Sequence, residues 1–153
     1  MSLAMTRSER EAFLAALHVG VISISQSGHG PLTVPIWYAY QPGGELSVIT
    51  DRDSRKGKLL KVGKRISLCA QTETAPIRSV HAFSRSGRFS VIVAIEPSDR
   101  DRATRPIARR YLGAELGDRY VDATSGEREA RGSIVVRMRP ERWLSVDYKK
   151  QYS

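Results

Sequence analysis

The sequence has few of the residues that form covalent or metal-linked structure. It contains one cysteine, Cys69, and three histidines, His18, His29 and His81, which lie far apart along the chain. A lone cysteine cannot form an intramolecular disulfide bond, and no histidine has a second ligand at metal-binding spacing. We therefore expect no metal site, and we expect Cys69 to be a buried thiol in an apolar strand.

Long apolar runs are also absent from the sequence. The apolar runs that do occur, such as residues 90–95, are far shorter than the ~20 residues of a membrane-spanning helix. The N-terminus carries acidic residues and no apolar segment typical of a secretion signal. The sequence therefore predicts a soluble cytoplasmic protein without a membrane partner. Residues 1–4 resemble the remnant of an expression tag and are left out of the fold prediction.

What is present is an ordinary globular composition with a marked excess of positive charge. The 153 residues, of which 41% are hydrophobic and 27% charged, suit one domain that spans residues 5–150. The 25 Lys and Arg residues outnumber the 16 Asp and Glu residues, which gives a net charge of +9. Such a charge favours an anionic partner, which can be a nucleic acid, a membrane surface or a phosphorylated small molecule.

The order of local patterns predicts both helices and strands. Thr6 and Glu9 form a capping box, which indicates a helix that extends to about Leu17. Alternating and β-branched segments predict strands at 19–25, 32–40, 45–50, 65–72, 77–83, 89–95, 133–139 and 142–148. Further helices are expected within 51–64, over 99–112 and over 115–123, and a hairpin is expected around 84–87.

The arrangement of these segments favours an α+β barrel. Most of the strands follow one another without an intervening helix, which is typical of an antiparallel sheet and not of a doubly wound parallel one. Within residues 32–40, Pro35 cannot donate a ladder hydrogen bond. We therefore expect this strand to lie at an edge, at a bulge, or where another group approaches its backbone.

The segment after the third strand carries the clearest candidate for a binding site. Thr50 ends that strand, and Ser54, Arg55 and Lys56 open the short helix that follows. The positive end of a helix together with two cations makes a pocket suited to a phosphate group. The alternative interpretation is a basic helix that is simply exposed to solvent.

A wider set of residues gives the sequence a family resemblance. The run Thr33-Val34-Pro35-Ile36-Trp37-Tyr38 after a glycine turn, the strand at 44–50 and the Ser54-Arg55-Lys56 triplet resemble the N-terminal half of pyridoxamine 5'-phosphate oxidase-like proteins. The resemblance implies an α+β fold, a mainly antiparallel six- or seven-stranded split β-barrel (the FMN-binding split barrel) with flanking helices. It also implies a homodimer that binds a flavin or deazaflavin in a groove between the subunits.

Carried over residue by residue, the resemblance assigns positions to the cofactor. It implies that Val34, Pro35, Ile36 and Trp37 lie along the isoalloxazine or deazaflavin ring. It implies that the phosphate is held by Thr50, Ser54, Arg55 and Lys56. The oxidase has a glutamine that meets the flavin in an Arg-Gln-Val segment, and the matching segment here is Arg78-Ser79-Val80. Ser79 is therefore the candidate at that position.

The C-terminus departs from the true oxidase. The Arg-Leu-His-Asp-Arg signature that binds pyridoxal phosphate is replaced by the segment from Trp143 to Lys150, so we do not expect oxidation of pyridoxamine phosphate. A tryptophan followed by Asp147 and a basic pair resembles the branch that uses coenzyme F420, a phosphorylated deazaflavin with an acidic tail. The resemblance and the net charge of +9 favour F420 over FMN as the cofactor.

These observations predict an F420- or FMN-dependent oxidoreductase that transfers a hydride between the bound cofactor and a small organic substrate. No catalytic side chain is assigned, because Tyr38 and Tyr40 fit a strand core better than a proton donor. One alternative is a non-catalytic flavin or tetrapyrrole carrier with the same barrel. Another is a nucleic-acid-binding barrel, which requires exposed aromatic residues among the cations; the basic run 52–65 has none, so no nucleic-acid partner is expected.

Overall fold

A computed structural model describes residues 2–83 and 90–152. The strands in these residues are β1 Gly20–Gln26, β2 His29–Ile36, β3 Tyr38–Tyr40, β4 Leu46–Asp51, β5 Arg65–Gln71, β6 Arg78–Phe83, β7 Ser90–Pro97, β8 Ser133–Arg139 and β9 Arg142–Asp147. The α-helices are α1 Arg7–Ala15, α2 Arg55–Leu59, α3 Arg105–Leu112 and α4 Ala114–Ala130. A π-helical turn, Arg100–Thr104, precedes α3, and a 3-10 turn, Tyr148–Gln151, follows β9. The hairpin predicted around 84–87 lies outside the described residues.

The strands form one antiparallel sheet in the order β2-β1-β5-β7-β8-β4-β3, and β6 links β5 to β9. This arrangement confirms the prediction of an antiparallel α+β split barrel. Nine strands are described, more than the six or seven expected, in part because the predicted strand 32–40 is divided at Trp37. On one side of Trp37, β2 pairs with β1, and on the other side β3 pairs with β4. Trp37 therefore lies where the chain passes between two regions of the barrel.

The first helix begins as the sequence predicts and ends earlier. Thr6 Oγ1 accepts a hydrogen bond from the amide of Glu9 at 3.3 Å, and Glu9 Oε2 accepts one from the amide of Thr6 at 2.7 Å. The helix ends at Ala15 and not at Leu17, because the next residue has extended backbone angles. The Arg110 guanidinium satisfies the free carbonyl groups at this end and donates to the oxygen of Ala15 at 2.8 Å.

Alternation along the strands creates the hydrophobic core inside the barrel. On β4, Leu46, Val48 and Thr50 are buried, while the residues between them are only partly buried. Tyr38 is fully buried, and its hydroxyl donates to the carbonyl oxygen of Leu14 at 2.9 Å. This bond satisfies the only polar group of that side chain, which confirms Tyr38 as a core residue.

Helices α3 and α4 form a hairpin next to the sheet, and both differ from the prediction. The predicted helix 99–112 starts as the π-helical turn, whose first amides donate to the side chain of Asp99. The predicted helix 115–123 continues to Ala130, although Ser125 and Gly126 are poor helix formers. Packing at the start of α4 is close, because an added Cβ on Gly117 would lie 2.8 Å from the backbone of Arg109.

Arginine–aspartate pairs fasten the two helices together. Arg105 bonds to Asp118 at 3.0 Å and to Asp122 at 2.9 Å, and Arg109 bonds to Asp118 at 2.7 Å. Hydrogen bonds from these guanidinium groups hold the pKa of Asp118 well below its usual range. None of the helices in the described part of the chain has both the length and the apolar character needed to cross a lipid bilayer.

Candidate functional site

A cavity of about 310 Å³ lies between the sheet and the α3–α4 hairpin. Its volume is at the lower end of the range found for small-molecule sites, ~300 to 1,000 Å³. It is lined by Val19, Pro35, Ile36, Trp37, Ile49, Lys56, Thr104, Ile107, Ala108, Tyr120 and Arg128. The lining is mainly apolar and aromatic, contains two cations and includes no carboxylate.

Local structure determines which side chains of the β4–α2 segment reach this cavity. Ile49 alternates with the buried residues of β4 and therefore points out of the barrel into the cavity. Ser54 caps α2, because its Oγ accepts from the amide of Gly57 at 2.9 Å and donates to the carbonyl of Asp51 at 2.7 Å. This cap fixes the first turn of α2, from which Lys56 extends into the cavity.

Trp37 forms an aromatic wall of the cavity and is held in place from behind. Its ring stacks on that of Tyr111 with 4.9 Å between centroids and 4° between planes. Tyr111 is itself fixed, since its hydroxyl donates to the carbonyl of His18 at 2.6 Å and accepts from the amide of Tyr38 at 3.1 Å. The ring of Tyr120 lies 6.0 Å from Trp37 and is tilted by 58°.

The two cations of the cavity form no contact ion pair in the described part of the chain. Lys56 is half-buried, and burial lowers its pKa below the ordinary value. Within the described residues, neither Lys56 nor Arg128 forms an ion pair, and the Arg128 guanidinium donates only to the neutral oxygens of Thr124, at 3.1 Å, and Tyr120. The charge of Asp51 raises the pKa of Lys56, but by less than burial lowers it. Removing cations from water without a contacting counter-charge is costly. The site is therefore electrostatically prepared for an anion.

Of the cofactor residues expected from the sequence, the cavity brings together Pro35, Ile36, Trp37 and Lys56. Val34 does not line it and instead packs against the hydrophobic core. Val34 and Ile36 share the core face of β2, opposite Pro35, and Ile36, at the end of the strand, also reaches the cavity.

The remaining phosphate candidates lie close by and are engaged in other contacts. Thr50 is buried inside the barrel, and its Oγ1 lies 3.2 Å from the Oγ of Ser54. Arg55 is exposed and donates to the side chain of Gln26 at 3.1 Å. Of the Ser-Arg-Lys triplet, only Lys56 therefore lines the cavity. Ser54 and Arg55 form hydrogen bonds with other residues of the protein.

Ser79 does not line the cavity. It belongs to β6, where it pairs with Gln71 of β5 and with Val146 of β9. Within one chain, β5 separates it from β1 and β2, which lie beside the cavity.

The cavity also contains residues that sequence reasoning missed. Tyr120 and Arg128 come from α4, and Thr104 and Ile107 come from the turn and helix before it. Tyr120, Thr124 and Arg128 recur every four residues, so they share one face of a helix. That spacing is visible in the sequence, but the predicted helix ended at residue 123. Arg128 therefore lay outside the predicted helix.

A second cavity of about 490 Å³ adjoins the first. It lies between the end of β7, the π-helical turn and the C-terminal half of α4. It is lined by Arg52, Pro97, Ser98, Asp99, Arg100, Thr104, Val121, Ser125, Arg128, Glu129, Gly132 and Ser133. Thr104 and Arg128 line both cavities, so the two share a wall.

An apolar strip of the outer sheet surface begins at the first cavity. Val19, a cavity residue, is 50% exposed, and Leu144 on β9 is 57% exposed. Between them, Val21 pairs with Pro35 on one side and with Cys69 on the other. Cys69 is therefore half-buried on this outer face and not in the core as expected. Burial nevertheless raises the pKa of its thiol.

Comparison with known proteins identifies the fold. No family model and no curated protein sequence matches the chain. Solved structures do match, among them a conserved hypothetical protein from Mycobacterium tuberculosis with 22% identity and a TM-score of 0.74, covering 99% of this chain and 90% of that one. An F420 reductase matches with 13% identity and a TM-score of 0.63, covering 88% of this chain and 94% of the other.

A presumed pyridoxamine 5'-phosphate oxidase from Listeria innocua matches with 10% identity and a TM-score of 0.59, covering 91% of this chain and 96% of that one. Further matches include an FAD-binding protein and heme-binding proteins, at 15 to 16% identity. At such identities the comparison establishes the fold. The chain has the split-barrel fold of the pyridoxamine 5'-phosphate oxidase-like superfamily, as the sequence resemblance predicted.

Proposed function

We propose that the protein binds a phosphorylated flavin or deazaflavin and uses it to transfer a hydride to or from a small organic substrate. The observation that carries this proposal is the pair of unpaired cations, Lys56 and Arg128, in a cavity walled by aromatic and apolar side chains. A flat ring with an anionic chain has the complementary chemistry. Proteins with the same fold include an F420 reductase and an FAD-binding protein, which supports this class of cofactor.

The ring of the cofactor would lie against Pro35, Ile36 and Trp37. Pro35 has no amide hydrogen to donate to a neighbouring strand. A ligand can therefore approach the backbone here without displacing a hydrogen bond of the sheet. The stack of Trp37 on Tyr111 fixes the indole before a ligand arrives, which lowers the entropy lost on binding. Val34 would contribute only through its backbone, because its side chain packs in the core.

The phosphate would bind between Lys56 and Arg128. Charge-assisted hydrogen bonds from an ammonium and a guanidinium are among the strongest that a protein makes to phosphate. In this arrangement Thr50 and Ser54 act as positioning residues, because their hydroxyls close the turn that presents Lys56. Arg55, at the outer edge, would add long-range attraction and not direct contact.

We further propose that the protein is a homodimer joined across the outer sheet face that carries Val21 and Leu144. This face carries the exposed residues Val21 and Leu144 beside the hydroxyl residues Ser23, Thr33 and Ser67, and Val21 pairs with the cavity residue Pro35. A two-fold contact here would bring the second subunit to the mouth of the cavity. Ser79, which does not line the cavity of its own chain, would then meet the cofactor bound to the other subunit.

The charge of the protein favours F420 over FMN. A net charge of +9 and two unpaired cations suit a cofactor that carries an acidic tail beyond its phosphate. The cofactor supplies the hydride chemistry when it is bound, while the chain binds it, orients the ring and excludes water. For this reason no side chain is proposed as a catalytic acid or base.

A non-catalytic carrier is the second candidate, and the cavity favours a flavin carrier over a heme carrier. Heme iron is usually held by histidine, cysteine or methionine, and the cavity lining contains none of these. Tyrosine is a rarer ligand, and the hydroxyl of Tyr120 is already bonded to Arg128. A flavin carrier and a flavin enzyme need the same pocket and differ only in turnover.

The proposal is tested by titrating the purified protein with FMN, oxidised F420 and hemin while absorbance and tryptophan fluorescence are recorded. Trp37 lies in the cavity, so a bound ring should quench part of the fluorescence. We expect saturable binding of FMN or F420 near one per chain, and weak binding of hemin without a defined stoichiometry. Stoichiometric hemin binding together with no flavin binding would overturn the proposal. With an electron donor and an electron acceptor both supplied in excess, steady electron transfer between them by the loaded protein would separate an enzyme from a carrier.

A further inference from the structure

The two adjoining cavities, together called the cleft, share two lining residues and form two chambers. The first chamber, the 310 Å³ cavity at Trp37, is aromatic and apolar on most sides. Most residues that line the second chamber, the 490 Å³ cavity at Ser133, carry hydroxyl or charged groups. Arg128 and Thr104 line both chambers, so a ligand passing from one to the other passes the guanidinium of Arg128.

The hydroxyl groups of the second chamber are not all satisfied by the protein. Ser98 Oγ and Thr104 Oγ1 bond to each other at 3.0 Å, and Ser125 Oγ donates to the carbonyl of Asp122 at 3.3 Å. Ser133 Oγ, in contrast, is buried and has no hydrogen-bond partner. A buried hydroxyl without a partner carries a desolvation cost that a polar ligand atom would remove.

The charges of the second chamber leave one further guanidinium available. Its carboxylates are Asp99, whose Oδ1 accepts from the amides of two following residues, and the exposed Glu129. Arg100 is occupied by an ion pair with Asp101 at 3.1 Å. The side chain of Arg52 forms no ion pair or hydrogen bond within residues 2–83 and 90–152. With Arg128 at the junction, the cleft therefore presents anion-binding groups at two separated points.

We propose that the cleft selects an elongated ligand with two anionic groups, the first held by Lys56 and Arg128 and the second by Arg52, with the Ser133 hydroxyl bonded to the chain between them. This inference rests on the proposed function and specifies, in addition, that the ligand is longer than FMN. The ring occupies the first chamber, and the chain continues beyond its first phosphate into the second. FMN ends at that phosphate and fills only the first chamber. FAD, with a second phosphate and adenosine, and F420, with tail carboxylates, carry the additional anionic group.

The test compares the affinities of FMN, FAD and F420 for the wild-type protein, Arg52→Gln and Arg119→Gln. Arg119 lies on α4 outside both chambers and is paired with Glu115, so Arg119→Gln controls for the loss of one positive charge. We expect the wild type to bind FAD or F420 more tightly than FMN by on the order of tenfold, as one charge-assisted hydrogen bond implies. Arg52→Gln should remove that advantage and leave FMN affinity within about twofold. Arg119→Gln should change none of the three by more than about twofold.

The possible outcomes separate this inference from the function on which it rests. Equal wild-type affinities for FMN, FAD and F420, or an equal loss of FMN and longer ligands in Arg52→Gln, would overturn the second site while flavin binding stands. A gain with FAD alone or F420 alone supports the cleft and identifies the source of the second anion. Absence of binding by any of the three ligands would overturn both proposals. The fold of each variant is checked by its circular dichroism spectrum and melting temperature.

Discussion

Lys56 is a cation that the fold places in a largely apolar cavity. Its side chain is half-buried and forms no contact ion pair in the described residues, and burial lowers its pKa by more than the charge of Asp51 raises it. A charged group in such a position is unfavourable for the isolated protein. A bound anion would offset this electrostatic cost. The position of Lys56 therefore supports an anionic ligand in the cavity.

The affinity for a phosphorylated cofactor should depend on pH through Lys56. A lowered pKa means that the ammonium loses its proton, and its attraction for phosphate, at a pH below the ordinary value of 10.5. The second ionisation of a phosphate is complete above about pH 7, so the ligand charge is then constant. FMN or F420 affinity measured from about pH 7 to about pH 10 should therefore fall with rising pH.

The control is Lys56→Arg, whose guanidinium stays charged throughout this range. Its affinity should be flat where that of the wild type declines. An identical decline in both proteins would show that another group titrates, and would remove Lys56 from the phosphate site.

Tyr111 is expected to act by positioning Trp37. Tyr111→Phe keeps the ring stack and removes the hydroxyl that contacts His18 and Tyr38. The loss of a buried hydrogen bond costs about 1 kcal/mol or more, which lowers the melting temperature by about 2 to 4 °C per kcal/mol in a protein of this size. Cofactor affinity should fall as well, because the indole is less firmly held.

The matched substitution is Tyr148→Phe, since Tyr148 is 43% exposed and lies outside the cavity. It should leave both melting temperature and affinity unchanged. If Tyr111→Phe behaves in the same way, the hydroxyl of Tyr111 has no positioning role.

At the scale of elements, the turn between β4 and α2 determines whether Lys56 reaches the cavity. Gly57 makes this turn possible, because a Cβ at that position would lie 2.2 Å from the carbonyl oxygen of Asp51. Gly57→Ala should therefore displace α2 and cost about 1 to 3 kcal/mol of stability. It should also weaken cofactor binding, although residue 57 itself does not line the cavity.

Gly30→Ala is the matched control, because an added Cβ at Gly30 would have no atom within 4 Å. Calorimetric melting and cofactor titration of both variants make the comparison. A Gly57→Ala protein that melts and binds like Gly30→Ala would contradict the account of this turn.

The sequence could predict local elements well where local signals are strong. The capping box at Thr6 and Glu9 predicted the start of α1, and alternation predicted which side chains of β4 face the core. It could not predict the division of strand 32–40, because the amide of Tyr38 bonds to Tyr111, which lies 73 residues away. That contact depends on the tertiary fold and leaves no local signal.

In the candidate site, too, residues in local motifs could be predicted, and residues placed by the tertiary fold could not. Lys56 and Trp37 were found because they belong to short recognisable motifs. Arg128 was missed because its place in the cavity requires α4 to continue through Ser125 and Gly126, whose intrinsic propensities oppose a helix. The roles of Ser54 and Arg55 could not be distinguished from sequence, since adjacent helix residues point in different directions.

At the scale of the whole molecule, the exposed apolar strip on the sheet predicts self-association. Val21→Lys would place a charge in the centre of this strip, and the charge would have to be buried in a dimer. We expect the wild type to be a dimer by light scattering and Val21→Lys to be largely monomeric. Cofactor affinity should fall with dissociation, because in the proposed dimer the second subunit would complete the mouth of the cavity.

Val62→Lys serves as the control, since Val62 is 64% exposed and lies in the loop after α2, away from the strip. It should remain dimeric and bind cofactor normally. A wild-type monomer that binds cofactor at full stoichiometry would contradict the proposed arrangement.

The central claim is that Lys56 holds the phosphate of a bound flavin or deazaflavin, and calorimetric titration of FMN and F420 into Lys56→Ala and Lys58→Ala tests it most directly. Both substitutions remove one lysine from α2, but Lys58 is exposed and lies outside the cavity. We expect Lys56→Ala to lose about 1.5 to 3 kcal/mol of binding free energy with no loss of melting temperature, and Lys58→Ala to bind like the wild type. Equal affinity of Lys56→Ala and the wild type for both cofactors would contradict the role of Lys56 and would show that α2 is an ordinary basic surface helix.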